Sequence, residues 1–261
     1  MLRSKSDYYE QDALWCGLSA IEQERVCKTL ALIPQRVRTI LDVGCGCGYL
    51  TNRLHDLHYD VVGVDTSRTA IHHVTGAKAL ASVDALPFAD QSFDLVLCTQ
   101  VLEHLPRVVY EGCIGELLRV GRTYVLVSVP NREFLRQNFT RCPECGCEFH
   151  VHRHLRSISL ETLCRDFWGF ALVDCAYTDV RARYRTAFEV FLLHTLNHWP
   201  TTPTAMCPQC GSTGHYYSVW ERNWVELGFI GLAALLHRLW PRRTWPYWLI
   251  ALFQRTESRD S

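Results

Sequence analysis

Three acidic side chains, a turn of alternate glycines and two cysteine pairs carry the chemistry in this chain. In Ile40-Leu-Asp-Val-Gly-Cys-Gly-Cys-Gly48 a short apolar strand runs into a turn with glycine at 44, 46 and 48 and Asp42 just ahead. A turn of this kind, opening a helix, lets the backbone approach a nucleotide closely. The dinucleotide pattern G-x-G-x-x-G needs a third glycine where this chain has Tyr49, so the stricter motif fails. A carboxylate at Asp42 repels a pyrophosphate and attracts a ligand carrying an ammonium and a sulfonium. Asp65 ends the next apolar run, Val61-Val-Gly-Val64, about 20 residues on, where a carboxylate takes both hydroxyls of a ribose. With no ligand, the same glycines make only a tight strand-to-helix connection.

Further motifs follow in order: Asp84-Ala-Leu-Pro-Phe88, Asp90-Gln-Ser-Phe-Asp-Leu-Val-Leu97 and Gln100-Val-Leu-Glu-His-Leu105. With them the chain resembles, over residues 39–131, class I S-adenosylmethionine-dependent methyltransferases of the type 11 group. The resemblance implies S-adenosylmethionine as the cofactor. It implies that Asp42, Gly44, Gly46 and Gly48 surround its methionine end, with Asp65 and Thr66 at the ribose, Asp84 and Ala85 at the adenine, and Gln100 on the methionine side. His104 then stands near the methyl group, where a hydroxyl acceptor needs a base. A packing or capping histidine is the other reading of that position. His154-Leu-Arg156-Ser borders the acceptor side in the same resemblance, and Asn131, at the end of the fifth strand, is a candidate to hydrogen-bond the acceptor or to cap the next turn. The implied activity is methyl transfer, at oxygen, to a small-molecule or sugar- or lipid-linked acceptor. Two rivals stay open: a methyltransferase-like scaffold that binds a protein partner, and a nicotinamide-dependent dehydrogenase, against which Tyr49 counts.

Cys142-Pro-Glu-Cys145-Gly and Cys207-Pro-Gln-Cys210-Gly are near copies of one knuckle. Two C-x-x-C pairs supply the four thiolates of a closed tetrahedral zinc site, which is structural because no position is left for water. The gap between them runs from 146 to 206, against roughly 15 to 20 residues in a compact ribbon. Each pair follows a strand of the sheet, so both knuckles are expected at one carboxyl edge, beside the substrate mouth. Cys147, His150, His152 and His154 offer a local Cys/His site as an alternative, and metal-free cysteines are a third reading.

Composition narrows the class. The 261 residues are 48% hydrophobic, enough for one large domain with insertions. Lys plus Arg equals Asp plus Glu at 27 each, which disfavours nucleic acid as the main partner. The N-terminal residues lack the apolar run of a signal peptide, and 13 cysteines is an odd number with several inside the turn and strands. The expectation is a cytoplasmic protein with reduced thiols. The uncharged stretches Leu227 to Leu236 and Thr244 to Gln254 fall short of the ~20 residues that span a bilayer. Five tryptophans between 220 and 248, with Arg238, Arg242 and Arg243, leave peripheral membrane contact or sugar stacking open beside a buried helix.

Alternating apolar runs and amphipathic stretches give an α/β, doubly wound parallel sheet with helices on both faces; the resemblance implies the Rossmann-like, mostly parallel seven-stranded sheet with an antiparallel last strand, and the cysteine knuckles add a small zinc-ribbon-like insertion. Residues 1–36 are expected as an N-terminal helical cover, with one helix from Tyr9 to Ile33 stopped by Pro34. Residues 37–261 form the main domain, interrupted by insertions at 138–156 and 179–246. Strands are expected at 39–43, 60–64, 78–82, 93–98, 124–129, 170–177 and 247–253, and helices at 49–57, 68–74, 107–120 and 160–168.

Overall fold

The computed structural model describes residues 6–15, 17–195, 199–200, 202–213, 231 and 244–256. The expected Leu227–Leu236 helix and the tryptophans at 220, 224 and 240 lie outside the described residues, Gly231 apart.

The chain opens with α1 (Ser6–Tyr9), a 3-10 turn (Asp12–Trp15) and α2 (Ala20–Ala31). The single helix expected over Tyr9 to Ile33 is therefore broken. Gly17 turns the chain with φ 68°, and Ser19 then starts α2 with a capping box in which Ser19 and Glu22 bond each other's backbone N–H. That box meets the orphan donors of a new helix start, so it marks a boundary that apolar spacing alone hides.

From there strands and helices alternate: β1 (Thr39–Val43), α3 (Tyr49–Asp56), β2 (Asp60–Asp65), α4 (Arg68–Ile71), β3 (Ala77–Leu80), β4 (Phe93–Thr99), α5 (Arg107–Val120) and β5 (Gly121–Pro130). A short hairpin follows, β6 (Phe139–Arg141) and β7 (Glu148–His150), then α6 (Leu160–Asp166) and β8 (Phe170–Tyr177). β9 (Arg181–Arg183) and α7 (Ala187–Thr195) lead away from the sheet, and β10 (Thr244–Pro246) returns the chain to β11 (Trp248–Arg255). β9 and β10 pair antiparallel, so the long excursion leaves and re-enters through one two-stranded clasp.

The seven-stranded sheet has the order β3-β2-β1-β4-β5-β11-β8. The first five strands are parallel and β11 runs antiparallel between β5 and β8. Successive residues of each central strand face opposite layers. Leu41, Val96, Val127 and Phe253 pack with α5 and α6, while Ile40, Leu97, Leu126 and Leu252 pack with α2 and α3. Both faces are covered, which is why these strands read as continuous apolar runs rather than alternating ones. Phe167 and Phe253 stack at 4.8 Å, fully buried, each side chain worth roughly 1.5–3 kcal/mol of burial. Chain order reverses at β1, flanked by β2 and β4, and a crevice opens at the carboxyl ends of strands at such a switch point.

Candidate active site

The turn after β1 is held to β2 by the N–H groups of Gly44 and Cys45, which both donate to the Val64 carbonyl at 2.7 and 2.9 Å. Gly44 has φ 71° and Gly46 φ 54°, a region that costs an L side chain about 1–2 kcal/mol. Space forbids a side chain as well. A Cβ on Gly44 would lie 2.3 Å from Val101 Cγ2, and one on Gly46 would lie 2.7 Å from the Trp15 ring.

A cavity of about 550 Å³ opens at this turn, within the size range of small-molecule sites. Asp42, Gly44, Gly46, Asp65, Thr66, Gln100 and His104 all line it. Gly48, Asp84 and Ala85 do not. Gly48 caps the start of α3 against Val74. Asp84 turns to accept the Ser82 hydroxyl and its Cβ packs beneath Gly112 of α5, leaving Ser82 and Val83 as the wall on that side.

Asp42 is 1% exposed. Its Oδ2 accepts the Thr51 hydroxyl at 2.7 Å, whereas Oδ1 is buried without a partner. Desolvation, with Asp65 adding to it, pushes this carboxyl up to about 6 against the pull of Thr51 and Arg25. A buried acceptor of this kind is costly unless something occupies it. Asp65 is also raised, by burial first. Its oxygens accept the N–H groups of Ser67 at 2.8 Å and Gly46 at 2.9 Å. Each oxygen still has a lone pair to offer.

Residues that the sequence reading missed close the cavity from above. Tyr8, Tyr9, Leu14, Trp15 and Leu18 line it. Trp15 Nε1 and the Ser67 hydroxyl both donate to the Tyr9 carbonyl, at 3.2 and 3.0 Å, and Glu10 accepts the N–H groups of Arg68 and Thr69. The N-terminal segment is thereby fastened across the carboxyl end of β2. Arg25 of α2 also lines the cavity, with its guanidinium 5.6 Å from the Trp248 ring centroid and its Nε unpartnered. Its one sequence signal is a position six residues past the Ser19 cap, on the helix face that carries Val26 and Thr29 inward.

His104 follows β4 in a 3-10 turn (Leu102–His104). Burial, with the neighbouring histidines 154, 150 and 152, lowers it to about 3, so it is a neutral imidazole. Around it stand Glu103, Glu133, His150, His152 and His154. Glu133 Oε1 accepts from His150 Nε2 at 3.2 Å, and Glu133 Oε2 bonds His154 Nδ1. Burial opposes the ionised form of Glu133, but these two hydrogen bonds overcome it and hold the carboxyl well below the usual range.

Cys142, Cys145, Cys207 and Cys210 meet across the long gap, with their sulfur atoms within 4.8 Å of one another. Sγ of Cys142 lies 3.6 Å from that of Cys210, and Sγ of Cys145 lies 3.5 Å from that of Cys207. A tetrahedron with metal–sulfur bonds near 2.3 Å has edges of about 3.8 Å. The two knuckles have the same backbone: Gly146 donates to Cys142 and Gly211 to Cys207, both glycines at φ 73°. Cys147 stays outside this group with its thiol toward the Glu148 carbonyl, and the three nearby histidines turn to Glu133 or to each other. The local Cys/His alternative is thus not what the fold assembles. Arg153 links the knuckle hairpin to the cavity, its guanidinium 5.7 Å from the Phe149 ring and 4.9 Å from the Tyr8 ring.

Residues 41–124 match the family model described as a methyltransferase domain. Over this segment, about a third of its length, the chain is similar to a methyltransferase domain. The chain is 40% identical over 92 residues to an uncharacterized methyltransferase of Mycobacterium avium (strain 104), covering 33% of this chain and 36% of that one. It is 39% identical over 101 residues to one of Mycobacterium tuberculosis (strain H37Rv), covering 36% and 39%. The matches span little more than a third of those relatives' lengths. Whole-chain likeness is one of fold. A chain of the Haloferax volcanii complex containing the Trm112 methyltransferase activator superposes with TM-score 0.57 at 16% identity, over 98% of this chain and 100% of that one. Magnesium protoporphyrin IX methyltransferase from Synechocystis PCC 6803 with bound SAH gives TM-score 0.56 at 14% identity, over 96% and 97%. Among the described residues, no helix is long and apolar enough to cross a membrane.

Proposed function

We propose that this chain transfers the methyl group of S-adenosylmethionine to an oxygen of a small-molecule or sugar- or lipid-linked acceptor. The observation that carries this reading is Asp42 Oδ1, a buried acceptor without a partner in the wall of a cavity beside two glycines that bar side chains. A cation held there supplies the missing partner, and the donor's ammonium and sulfonium are such cations. Asp65 has lone pairs left for the ribose hydroxyls. Ser82 and Val83 flank the adenine side, beside the expected Asp84 and Ala85. Arg25 is placed to pair with the donor carboxylate, since it is the cationic side chain of α2 that reaches this cavity.

When bound, the donor supplies an electrophilic methyl carbon on sulfur. The chain's own residues align the acceptor and exclude water, which is the main demand of an in-line displacement. Trp15, Tyr9 and Leu18 shield the cavity from solvent. His104 stands in the cavity wall as a neutral imidazole, and a hydroxyl acceptor is the reading that uses a polar group at that place. We read the four-cysteine cluster as a structural zinc site that fixes the insertion against Arg153 and the cavity rim.

Calorimetry of the purified chain with S-adenosylmethionine tests the reading. Binding is expected, and Asp65→Ala should weaken it by at least tenfold, about 1.4 kcal/mol for lost charge-assisted hydrogen bonds. No uptake of the donor or its demethylated product would leave the scaffold reading in its place.

A further inference from the structure

Behind His104 lies a group of polar atoms that the donor site does not use. Glu103 is 1% exposed, yet neither of its carboxylate oxygens has a hydrogen-bond partner. His104 Nδ1 is likewise buried and unpartnered. Arg25 acts on Glu103 through space without hydrogen-bonding it. One ligand atom from each of Glu103, His104 and His154 lies within 4.8 Å of the other two. Buried polar atoms are rarely left open, and several converging on one point indicate a missing ion or water.

We propose that Glu103, His104 and His154 bind a divalent transition-metal ion in the wall of the donor cavity. Two imidazoles and one carboxylate form a donor set that suits Zn²⁺, Mn²⁺, Fe²⁺ or Co²⁺. His154 is already oriented for it: Nδ1 bonds Glu133 Oε2, which leaves Nε2 for a metal and makes Glu133 the carboxylate behind a metal-bound histidine. The backbone fixes the approach, since Leu155 N–H donates to the Glu103 carbonyl at 2.7 Å.

The alternative triad, Glu133, His150 and His154, also lies within ligand distance, but its protons are accounted for. His150 Nδ1 accepts the backbone N–H groups of His152 and His154 at 3.2 and 3.3 Å. Its proton therefore sits on Nε2, which donates to Glu133. No lone pair of His150 is free for a metal.

The site lies beside the reacting centre. His104, Arg153 and Leu155 line the cavity, and three protein ligands leave open positions on the ion. The role that follows rests on the methyl-transfer reading: a hydroxyl of the acceptor, or two hydroxyls of a vicinal diol, occupies those positions. The ion lowers the hydroxyl pKa, and the proton passes to bulk water as the acceptor enters and displaces the water on the ion. The oxygen's electron pair then forms the bond to the methyl carbon, while the carbon–sulfur bond breaks and its pair stays on sulfur. The acceptor class is thus a hydroxyl compound able to chelate, rather than an amine or a thiol.

Equilibrium dialysis of the full chain against Co²⁺, with the metals counted and crystals diffracted at the cobalt edge, tests the site. The wild type should bind one Co²⁺ beyond any ion held by the four cysteines, with an anomalous peak between Glu103, His104 and His154. Glu103→Gln, nearly isosteric, should lose that ion while keeping the cysteine-bound one, and Glu133→Gln should weaken Co²⁺ binding by about 10- to 100-fold. Equal Co²⁺ content in wild type and Glu103→Gln, or no peak at the triad, would overturn the proposal. Donor binding measured separately on the same samples distinguishes this failure from failure of the donor reading.

Discussion

Acidification probes the donor site through Asp42. Its carboxyl stands at about 6 in the donor-free protein, against an ordinary 3.8, because burial disfavours the charged form and Asp65 adds repulsion. Arg25 and the Thr51 hydroxyl oppose that rise, and the thiols of Cys45 and Cys98 also face the group. A raised folded pKa means that the donor-free protein gains stability from this group at pH below 3.8 and loses it as pH rises through about 6. Binding a cationic donor reverses the preference, since the ionised carboxylate is the form that holds it. Donor uptake below pH about 6 should therefore absorb the cost of releasing one proton from Asp42. From pH 7 to pH 5 the ionised fraction falls from about nine-tenths to about one-tenth, and the association constant by about tenfold, or about 1.4 kcal/mol. The donor's α-ammonium stays protonated over this range, so it adds no slope. Isothermal titration of S-adenosylmethionine at pH 5, 6 and 7, each in two buffers of different ionisation enthalpy, counts the proton directly. In Asp42→Asn the slope should flatten and affinity at pH 7 should drop. A wild-type affinity that does not change between pH 7 and pH 5 would refute the placement of the donor cation at Asp42.

Three further outcomes are expected. Gly44→Ala combines left-handed backbone with a Cβ 2.3 Å from Val101, so thermal or urea unfolding should show a loss of about 2–5 kcal/mol. Trp15→Ala removes the ring that covers Gly46; stopped-flow should show faster donor release with little change in association rate. Elemental analysis should find about one zinc per chain bound by the four cysteines, and the Cys142→Ser/Cys207→Ser double variant should lose it. Full zinc retention in that variant would place the metal elsewhere.

The legible parts of this protein are those in which a residue type answers a local physical demand. Glycines at 44 and 46 announce a turn that side chains cannot make, and the runs ending at Asp42 and Asp65 announce buried parallel strands because both their faces are covered. Helix α5, from Arg107 to Val120, and strand β8, from Phe170 to Tyr177, fall where periodicity puts them. The N-terminal segment was misread because apolar spacing runs on through Gly17, while the sign that breaks it, the Ser19–Glu22 box, is a pair of hydrogen bonds between two polar residues. Asp84 shows the converse. Its type fits an adenine contact, but the partners its side chain has in the fold, the Ser82 hydroxyl and the close approach of Gly112, leave no mark in the sequence.

Sequence by itself determined the strand-turn-helix with its glycines and Asp42, the sheet around it and the four thiolates, because each depends on short-range patterning or on chemistry that few side chains can supply. Only the tertiary structure decided which groups share a space. It closed the cysteine knuckles across the long gap, laid Trp15 and Tyr9 over the cavity, and brought Glu133 to His150 and His154. It also left Glu103 facing two histidines with no partner of its own. Contacts between residues far apart in the chain leave no periodic trace in it. They arise only when the sheet fixes where each connection emerges, and burial then makes every unpaired charge matter.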